Sequence, residues 1–206
     1  MKIMRIPVGV YAANCYIVYS ETTKDGIVVD PGGDVDDLLG FIERKGLKIK
    51  DIILTHGHGD HIGGVIGLRD ALNANVMIHK DDHELLIDGD KNLSSTMPIG
   101  SVALEADKLL NDGDIILFGD LKVEVIHTPG HTKGGICLKI NDSIITGDTL
   151  FAGSIGRTDL PGGDYETIIK SIKEKLMTYP DDVEVMPGHG GTSTIGRERV
   201  TNPFLQ

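Results

Sequence analysis

The sequence predicts an α/β chain folded as a single domain over residues 1–206, with two sheets packed face to face and helices on both outer surfaces, an αβ/βα sandwich. Three observations predict it. Hydrophobic residues fill 40% of the 206 positions, enough for a packed core. Each half of the chain reads as strands and then helices, with no linker, low-complexity run or short-period repeat between them. Glycine is abundant, at 27 residues, which suits many short elements joined by tight turns.

Period-two apolar patterning predicts strands over Lys2–Val8, Asn14–Ser20 and Gly26–Val29, the last closed by the turn Asp30-Pro31-Gly32-Gly33. Asp34 is placed to cap a helix to about Lys45, with Leu38, Leu39 and Ile42 on one face and Gly46 as its stop. Asp51–Leu54 reads as a short buried strand that runs into Thr55-His56-Gly57-His58-Gly59-Asp60-His61. Ile62–Leu72 then reads as a helix, Val76–His79 as a strand, Asp81–Ile87 as a short helix and Lys91–Gly100 as a loop. A second block of strands follows at Asp114–Phe118, Leu121–His127, Gly135–Ile140 and Ser143–Thr146, then a helix over Tyr165–Met177 and a strand at Val183–Met186.

A formal charge of -11 repels a phosphate backbone, because nucleic-acid affinity comes mostly from Lys and Arg displacing counterions, so a nucleic-acid partner is not expected. No run approaches the ~20 apolar residues of a membrane helix, and the opening Met1–Val18 segment reads as strands and not as a secretory leader. The expectation is a cytoplasmic protein with a small-molecule substrate and no membrane partner. Cys15 and Cys137, far apart and each in an apolar segment, are expected as buried free thiols.

The chemistry gathers at strand ends. His56, His58, Asp60 and His61 place four potential ligands in one short segment directly after a strand. Alternate side chains of an extended segment share a face, so His56 and His58 can bind one ion, while the turn at Gly59 lets Asp60 and His61 swing toward a neighbouring one. Gly57 and Gly59 remove side chains that would crowd the ions. Imidazole suits zinc and iron, and carboxylate adds the charge that two divalent ions need. Asp60 is also placed to cap the helix expected from Ile62, but three histidines in that turn exceed a structural role. His131, Asp148 and His189 each follow an apolar strand in a glycine-containing turn. His127 and His131 are four apart, yet Pro129 and Gly130 forbid a regular helix between them, so they need not bind together. His79 and His83 read as surface residues, and His127 as a neighbour of the site.

These motifs, in this order, resemble the metallo-β-lactamase superfamily along nearly the whole chain. The resemblance implies that superfamily's four-layer αβ/βα sandwich and a site for two divalent ions, zinc first, with iron or manganese accepted by the same ligands. It implies His56, His58 and His131 for the first ion, Asp60, His61 and His189 for the second, and Asp148 as the bridge. Asp30 resembles the family's supporting aspartate, which hydrogen-bonds near the ligands and fixes imidazole orientation, and His127 is a candidate for a similar supporting role. Two ions ~3.5–4 Å apart can share a water and lower its pKa to about 7. The implied reaction is hydrolysis by a metal-held hydroxide beside Asp60 and Asp148, with no protein nucleophile.

Asp148 matches the glyoxalase II and persulfide dioxygenase branches, whereas the lactamases carry a cysteine or an unpaired site at the bridging position, which disfavours a β-lactamase. The stretch from Asp148 to Asp164, and the closing Thr201-Asn202-Pro203-Phe204-Leu205-Gln206, are similar to short bacterial glyoxalase II-like hydrolases. The implied activity is therefore a hydroxyacylglutathione hydrolase-type thioesterase acting on S-lactoylglutathione, another glutathione conjugate or a related small thioester. Arg157 falls where glyoxalase II carries a basic residue contacting glutathione; the alternative is a local pair with Asp159. Two departures stand out. Thr158-Asp159 replaces the aromatic residue of classical glyoxalase II, and no helical domain is expected after His189 to complete a glutathione pocket. The chief rival is a persulfide dioxygenase with one iron on His56, His131 and Asp148. An RNA-processing nuclease of the same fold is disfavoured by the charge and by the lack of a Lys/Arg cluster between His61 and His131.

Overall fold

The computed structural model describes all residues from Met1 to Gln206. The first sheet runs in chain order: β1 (Lys2–Val8), β2 (Ala13–Tyr19), β3 (Asp25–Val29), β4 (Lys48–Ile53), β5 (Asn75–His79) and β6 (Lys108–Leu110). It is antiparallel from β1 to β3 and parallel from β3 onward. The second sheet contains β7 (Ile115–Phe118), β8 (Leu121–His127), β9 (Ile136–Ile140) and β10 (Ser143–Gly147), and past a small hairpin of β11 (Leu150–Phe151) and β12 (Ser154–Ile155) it gains β13 (Glu184–Pro187) and β14 (Ser193–Thr194). Its order is β14-β13-β10-β9-β8-β7, with β10 and β13 parallel and every other pair antiparallel. The helices are α1 (Val35–Lys45), α2 (Gly59–Ile62), α3 (Val65–Leu72), α4 (His83–Leu86), α5 (Tyr165–Ser171), which a π turn over Ile172–Leu176 prolongs, and α6 (Ile195–Thr201).

Strand alternation produces the layers. On β2 every residue is buried, yet Cys15, Ile17 and Tyr19 pack with Leu38 and Ile42 of α1 and Leu68 of α3, while Tyr16 and Val18 face the opposite sheet. The inter-sheet core continues through Ile27, Val29, Ile53, Val123, Val125, Leu138 and Ile145. A third core joins Cys137, Ile144 and Val185 to Ile168 and Ile172. Three apolar layers between four structural ones make the αβ/βα sandwich, and truncating a central contact such as Ile53 to Ala costs about 2–5 kcal/mol.

Several expected elements change in detail. The helix expected over Ile62–Leu72 is split at Gly63-Gly64, where the chain crosses the Asp30–Gly33 turn; a Cβ on Gly63 would lie 2.5 Å from the Gly32 carbonyl oxygen. Asp60 therefore sits inside α2, whose N-cap is His58, and caps nothing. Asp34 precedes α1 but does not cap it through its side chain: at φ 49° its carboxylate turns back to accept Gly9 N–H at 2.8 Å. Gly46 ends α1 as expected, in the left-handed conformation. The expected Asp81–Ile87 helix is a 3₁₀ turn over Lys80–Asp82 followed by α4. The pairs β11–β12, β6 and β14, two or three residues each, carry too short a pattern to predict. No helix is long and apolar enough to cross a membrane.

Candidate metal centre

Parallel pairing gathers the polar turns at one edge of the sandwich. β3 and β4 are neighbours pointing the same way, so Asp30 and the Thr55–His61 segment leave the first sheet side by side. β10 and β13 are likewise parallel, which sets Asp148 beside His189. β8 runs antiparallel to β9 and β9 antiparallel to β10, so His131 emerges at the same end.

All seven expected ligands converge there. His58 Nδ1 lies 2.9 Å from His131 Nε2, and the His56 ring is 4.9 and 4.8 Å from those two, centroid to centroid. On the other side, His61 Nε2 is 3.2 Å from His189 Nε2, which is 3.2 Å from Asp60 Oδ2. Asp148 stands between: its Oδ1 is 3.4 Å from His61 Nε2, and its Oδ2 is 3.6 Å from His131 Nε2 and 3.7 Å from His189 Nε2. Gly188 permits this closeness, because a Cβ there would collide with the Asp148 carboxylate and the His61 ring.

The surrounding groups set the ring tautomers. Asp30 Oδ1 accepts Thr55 N–H at 2.7 Å, and its Oδ2 accepts Thr55 Oγ1–H at 2.6 Å and His61 Nδ1–H at 3.0 Å. Because the Thr55 hydroxyl proton goes to Asp30, its oxygen is left to accept Nδ1–H of His56 at 3.2 Å, an assignment made from the hydrogen-bond network. The Arg157 carbonyl accepts His131 Nδ1–H at 2.7 Å. His56 and His131 thus each turn an unprotonated Nε2 inward, and His61, its Nδ1–H held by Asp30, turns its Nε2 the same way. His56 Nε2 and Asp148 Oδ1 are buried with no hydrogen-bond partner, and such orphans are costly unless something binds them. Two unpartnered donor atoms among converging imidazoles and carboxylates fit a pair of divalent cations, one against His56, His58 and His131 and the other against Asp60, His61 and His189.

Electrostatics follow from that crowding. Burial, then the neighbouring rings, pushes His56 well below the ordinary imidazole value, and burial with His131 brings His58 down to about 4. His61 moves the other way, because Asp148 and Asp30 outweigh its burial. Burial works to raise Asp60 and Asp148, but His189 and His61 hold Asp60, and His61, His131 and His189 hold Asp148, below the usual carboxylate range.

One expectation is corrected, that of His79, and two other residues stand apart from the centre. His127 reaches no ligand: its Nε2–H donates to the Lys133 carbonyl at 2.9 Å and its ring stacks on His79 at 4.0 Å. His79, expected at the surface, is buried beneath that stack because β5 turns it toward β8. Arg157 puts its exposed guanidinium on Asp159 through two bonds of 2.7 Å, and only its carbonyl touches the centre. His83 is half-buried and pairs with Glu105. Cys15 and Cys137 are buried and free, as expected.

The sequence reading missed Asp82. Its buried carboxylate accepts Gly57 N–H at 3.1 Å, Thr132 Oγ1–H at 2.7 Å and Gly134 N–H at 2.6 Å, lashing the His56–His58 segment to the His131 turn. Burial raises its pKa despite those three donors. Asn14, whose amide donates to the carbonyls of Pro187 and Gly190, and Tyr16, whose hydroxyl donates to Pro187, fix the His189 turn in the same way. A polar residue inside an otherwise apolar strand was the available signal for Asn14; Asp82, in the charged run Lys80–Glu84, gave none.

Fold and site define a metallo-hydrolase, and a family model described as the metallo-beta-lactamase superfamily matches residues 8–189: the chain belongs to that superfamily. Two curated relatives are similar over the full length. The hydroxyacylglutathione hydrolase GloC of Haemophilus influenzae is 36% identical over 209 residues, covering 100% of this chain and 98% of the relative. The probable metallo-hydrolase YqgX of Bacillus subtilis is 38% identical over 208 residues, with coverage of 100% and 98%. Among solved structures, BLEG-1 B3 metallo-beta-lactamase superposes with a TM-score of 0.94 at 36% identity, covering all of both chains. TTHA1623 in a di-iron-bound form gives 0.87 at 34% identity, covering 98% of this chain and 100% of that one. ETHE1 from Myxococcus xanthus gives 0.82 at 26%, covering 98% and 84%.

Proposed function

We propose that this chain is a cytoplasmic thioester hydrolase of the hydroxyacylglutathione hydrolase type, acting on S-lactoylglutathione or a related small thioester and using two zinc ions. The observation that carries the reading is the convergence of His56, His58, His131, Asp60, His61 and His189 around Asp148, with His56 Nε2 and Asp148 Oδ1 left unpartnered. The full-length relationship to GloC supports the thioester as substrate.

In this reading His56, His58 and His131 would hold one ion and Asp60, His61 and His189 the other, with Asp148 available to both. Divalent cations there supply Lewis acidity, which lowers the pKa of water and polarises a carbonyl oxygen. The protein's part is orientation and charge. Asp30, the Thr55 hydroxyl and the Arg157 carbonyl each hold a proton on an imidazole Nδ1, so that Nε2 of His61, His56 and His131 faces the centre as a ready ligand. Asp60 and His189 are its more exposed members, at 19% and 30% of side-chain surface, and mark the side from which a substrate enters. Asp60 Oδ2, ionised at neutral pH and 3.2 Å from His189 Nε2, is the carboxylate oxygen placed to accept a proton from the reacting water. The Arg157 guanidinium is assigned to the thiol portion of the substrate, reached by exchanging Asp159 for a substrate carboxylate.

The second reading is β-lactam hydrolysis, favoured by the 36% identity to BLEG-1. Oxidation of a persulfide at one iron would need only His56, His131 and Asp148 and leaves Asp60, His61 and His189 converging without purpose. Metal content is measured alongside hydrolysis of S-lactoylglutathione, of a chromogenic cephalosporin, and oxygen uptake with glutathione persulfide. The proposal expects thioester turnover that chelation abolishes; turnover of only the cephalosporin or the persulfide overturns it.

A further inference from the structure

A cleft of about 450 Å³ opens between the segment from Asp81 to Leu93 and the Pro161-Gly162 turn, with Lys133 on its wall. Its floor is shared with the metal centre. Asp82 lines the cleft while holding Gly57, Thr132 and Gly134, and Leu85, on the cleft wall, packs against Gly57 between His56 and His58. Lys133 is two residues beyond His131.

Two of the residues that line the cleft with charge have their backbones fixed in place. Lys133 makes no ion pair, and its backbone is clamped by the His127 bond to its carbonyl and by the Gly134 bond to Asp82. The Asp90 carboxylate accepts no hydrogen bond and pairs with no cation, while its backbone is locked by the bonds of Asp90 N–H and Lys91 N–H to Asp88 Oδ1 at 3.0 and 3.2 Å. The other lysine there, Lys91, is occupied by Glu84 at 3.3 Å. One free cation, Lys133, thus shares the cleft with Leu85, Leu93 and two carboxylates that accept no hydrogen bond, Asp90 and Asp81, the latter 3.7 Å from His79 Nδ1, and a cation beside carboxylates complements a zwitterion. Asp81, Glu84 and Asp90 outnumber the two lysines, which disfavours a polyphosphate.

We propose that this cleft binds the amino-acid end of the substrate's thiol portion, its carboxylate on Lys133 and its ammonium on Asp90. This rests on the thioesterase reading and deepens it: the accepted thioesters are those of zwitterionic amino-acid or peptide thiols, and those of polyphosphate thiols such as coenzyme A are rejected.

The test measures binding of S-methylglutathione, which has no thiol to reach a metal, to the metal-loaded protein and to its Lys133→Met and Asp90→Asn variants. Thermal melts confirm folding. Each variant is expected to bind about five- to tenfold more weakly, as loss of one partly desolvated charge pair implies. N-acetyl-S-methylglutathione, without the ammonium, should bind the starting protein weakly and be insensitive to Asp90→Asn. In turnover, kcat/KM for a glutathione thioester relative to S-phenyl thioacetate should fall by the same factor in each variant, and acetyl-coenzyme A should be a poor substrate throughout. If thioesters are hydrolysed but both folded variants bind S-methylglutathione as the starting protein does, or coenzyme A thioesters are preferred, the cleft assignment is overturned alone. If no thioester is hydrolysed, the thioesterase reading fails and the cleft assignment with it.

Discussion

Replacing Asp30 with Asn removes one charge from beneath the metal centre and leaves the shape almost unchanged. Asp30 is buried at φ 51°, a conformation Asn tolerates, so the backbone is not strained. The carboxylate accepts three donors, two from Thr55 and one from His61. An amide offers one carbonyl oxygen and turns its NH₂ against the remaining donor or donors. Hydrogen bonds to a charged group contribute about 1.5–3 kcal/mol and neutral ones about 0.5–1.5, while a buried unsatisfied donor costs about 1–3 kcal/mol. The metal-free variant should therefore lose about 2–4 kcal/mol, read as a lower urea midpoint at unchanged slope. His61 also loses the partner that fixes its Nδ1 proton, and such outer partners are worth about 10–100-fold in metal affinity. Competition against a chromophoric chelator measures that directly. A variant that loses stability yet holds metal as tightly as the starting protein would refute the role given to Asp30.

Asp82→Ala leaves two backbone N–H groups and a threonine hydroxyl without their acceptor, and should cost about 3 kcal/mol or more of metal-free stability in urea unfolding. His58 titrates near 4 when folded against an ordinary 6.5, so the unfolded chain binds the extra proton between those values. Its contribution to metal-free stability is therefore present above about pH 6.5 and lost as pH falls toward 4, by roughly 3 kcal/mol; comparison with His58→Gln across that window isolates it, because the opposite contribution of His61 is common to both. Arg157→Ala should leave the urea midpoint unchanged, since its pair with Asp159 is exposed, and should raise KM for glutathione thioesters in steady-state assays.

Much of this was legible because period-two patterning and strand-end histidines report local geometry. The β8 alternation of buried Val123 and Val125 with exposed Lys122 and Glu124 is a sequence signal that packing only confirms. The convergence of the candidate ligands was legible for the same reason: each lies one to eight residues beyond a strand end, and parallel pairing brings those ends together. What failed depends on contacts distant in sequence. Nothing near Gly63-Gly64 records that the Gly32 carbonyl presses on it, and nothing near His79 records that His127 covers it. Asp34 looked like a cap because a cap is a local device, but its acceptor role toward Gly9 is set by how two loops meet. Asp82 joins segments 25 and 50 residues away, so no motif window contains it.

Everything rests on seven side chains seating two cations. Elemental analysis of the purified chain after reconstitution and desalting, beside the same measurement on Asp148→Ala, addresses this most directly. The account predicts two equivalents of divalent metal per chain in the first and at most one weakly held equivalent in the second, with thioester turnover lost in step. One equivalent or none in the starting protein, or two in the variant, would contradict it.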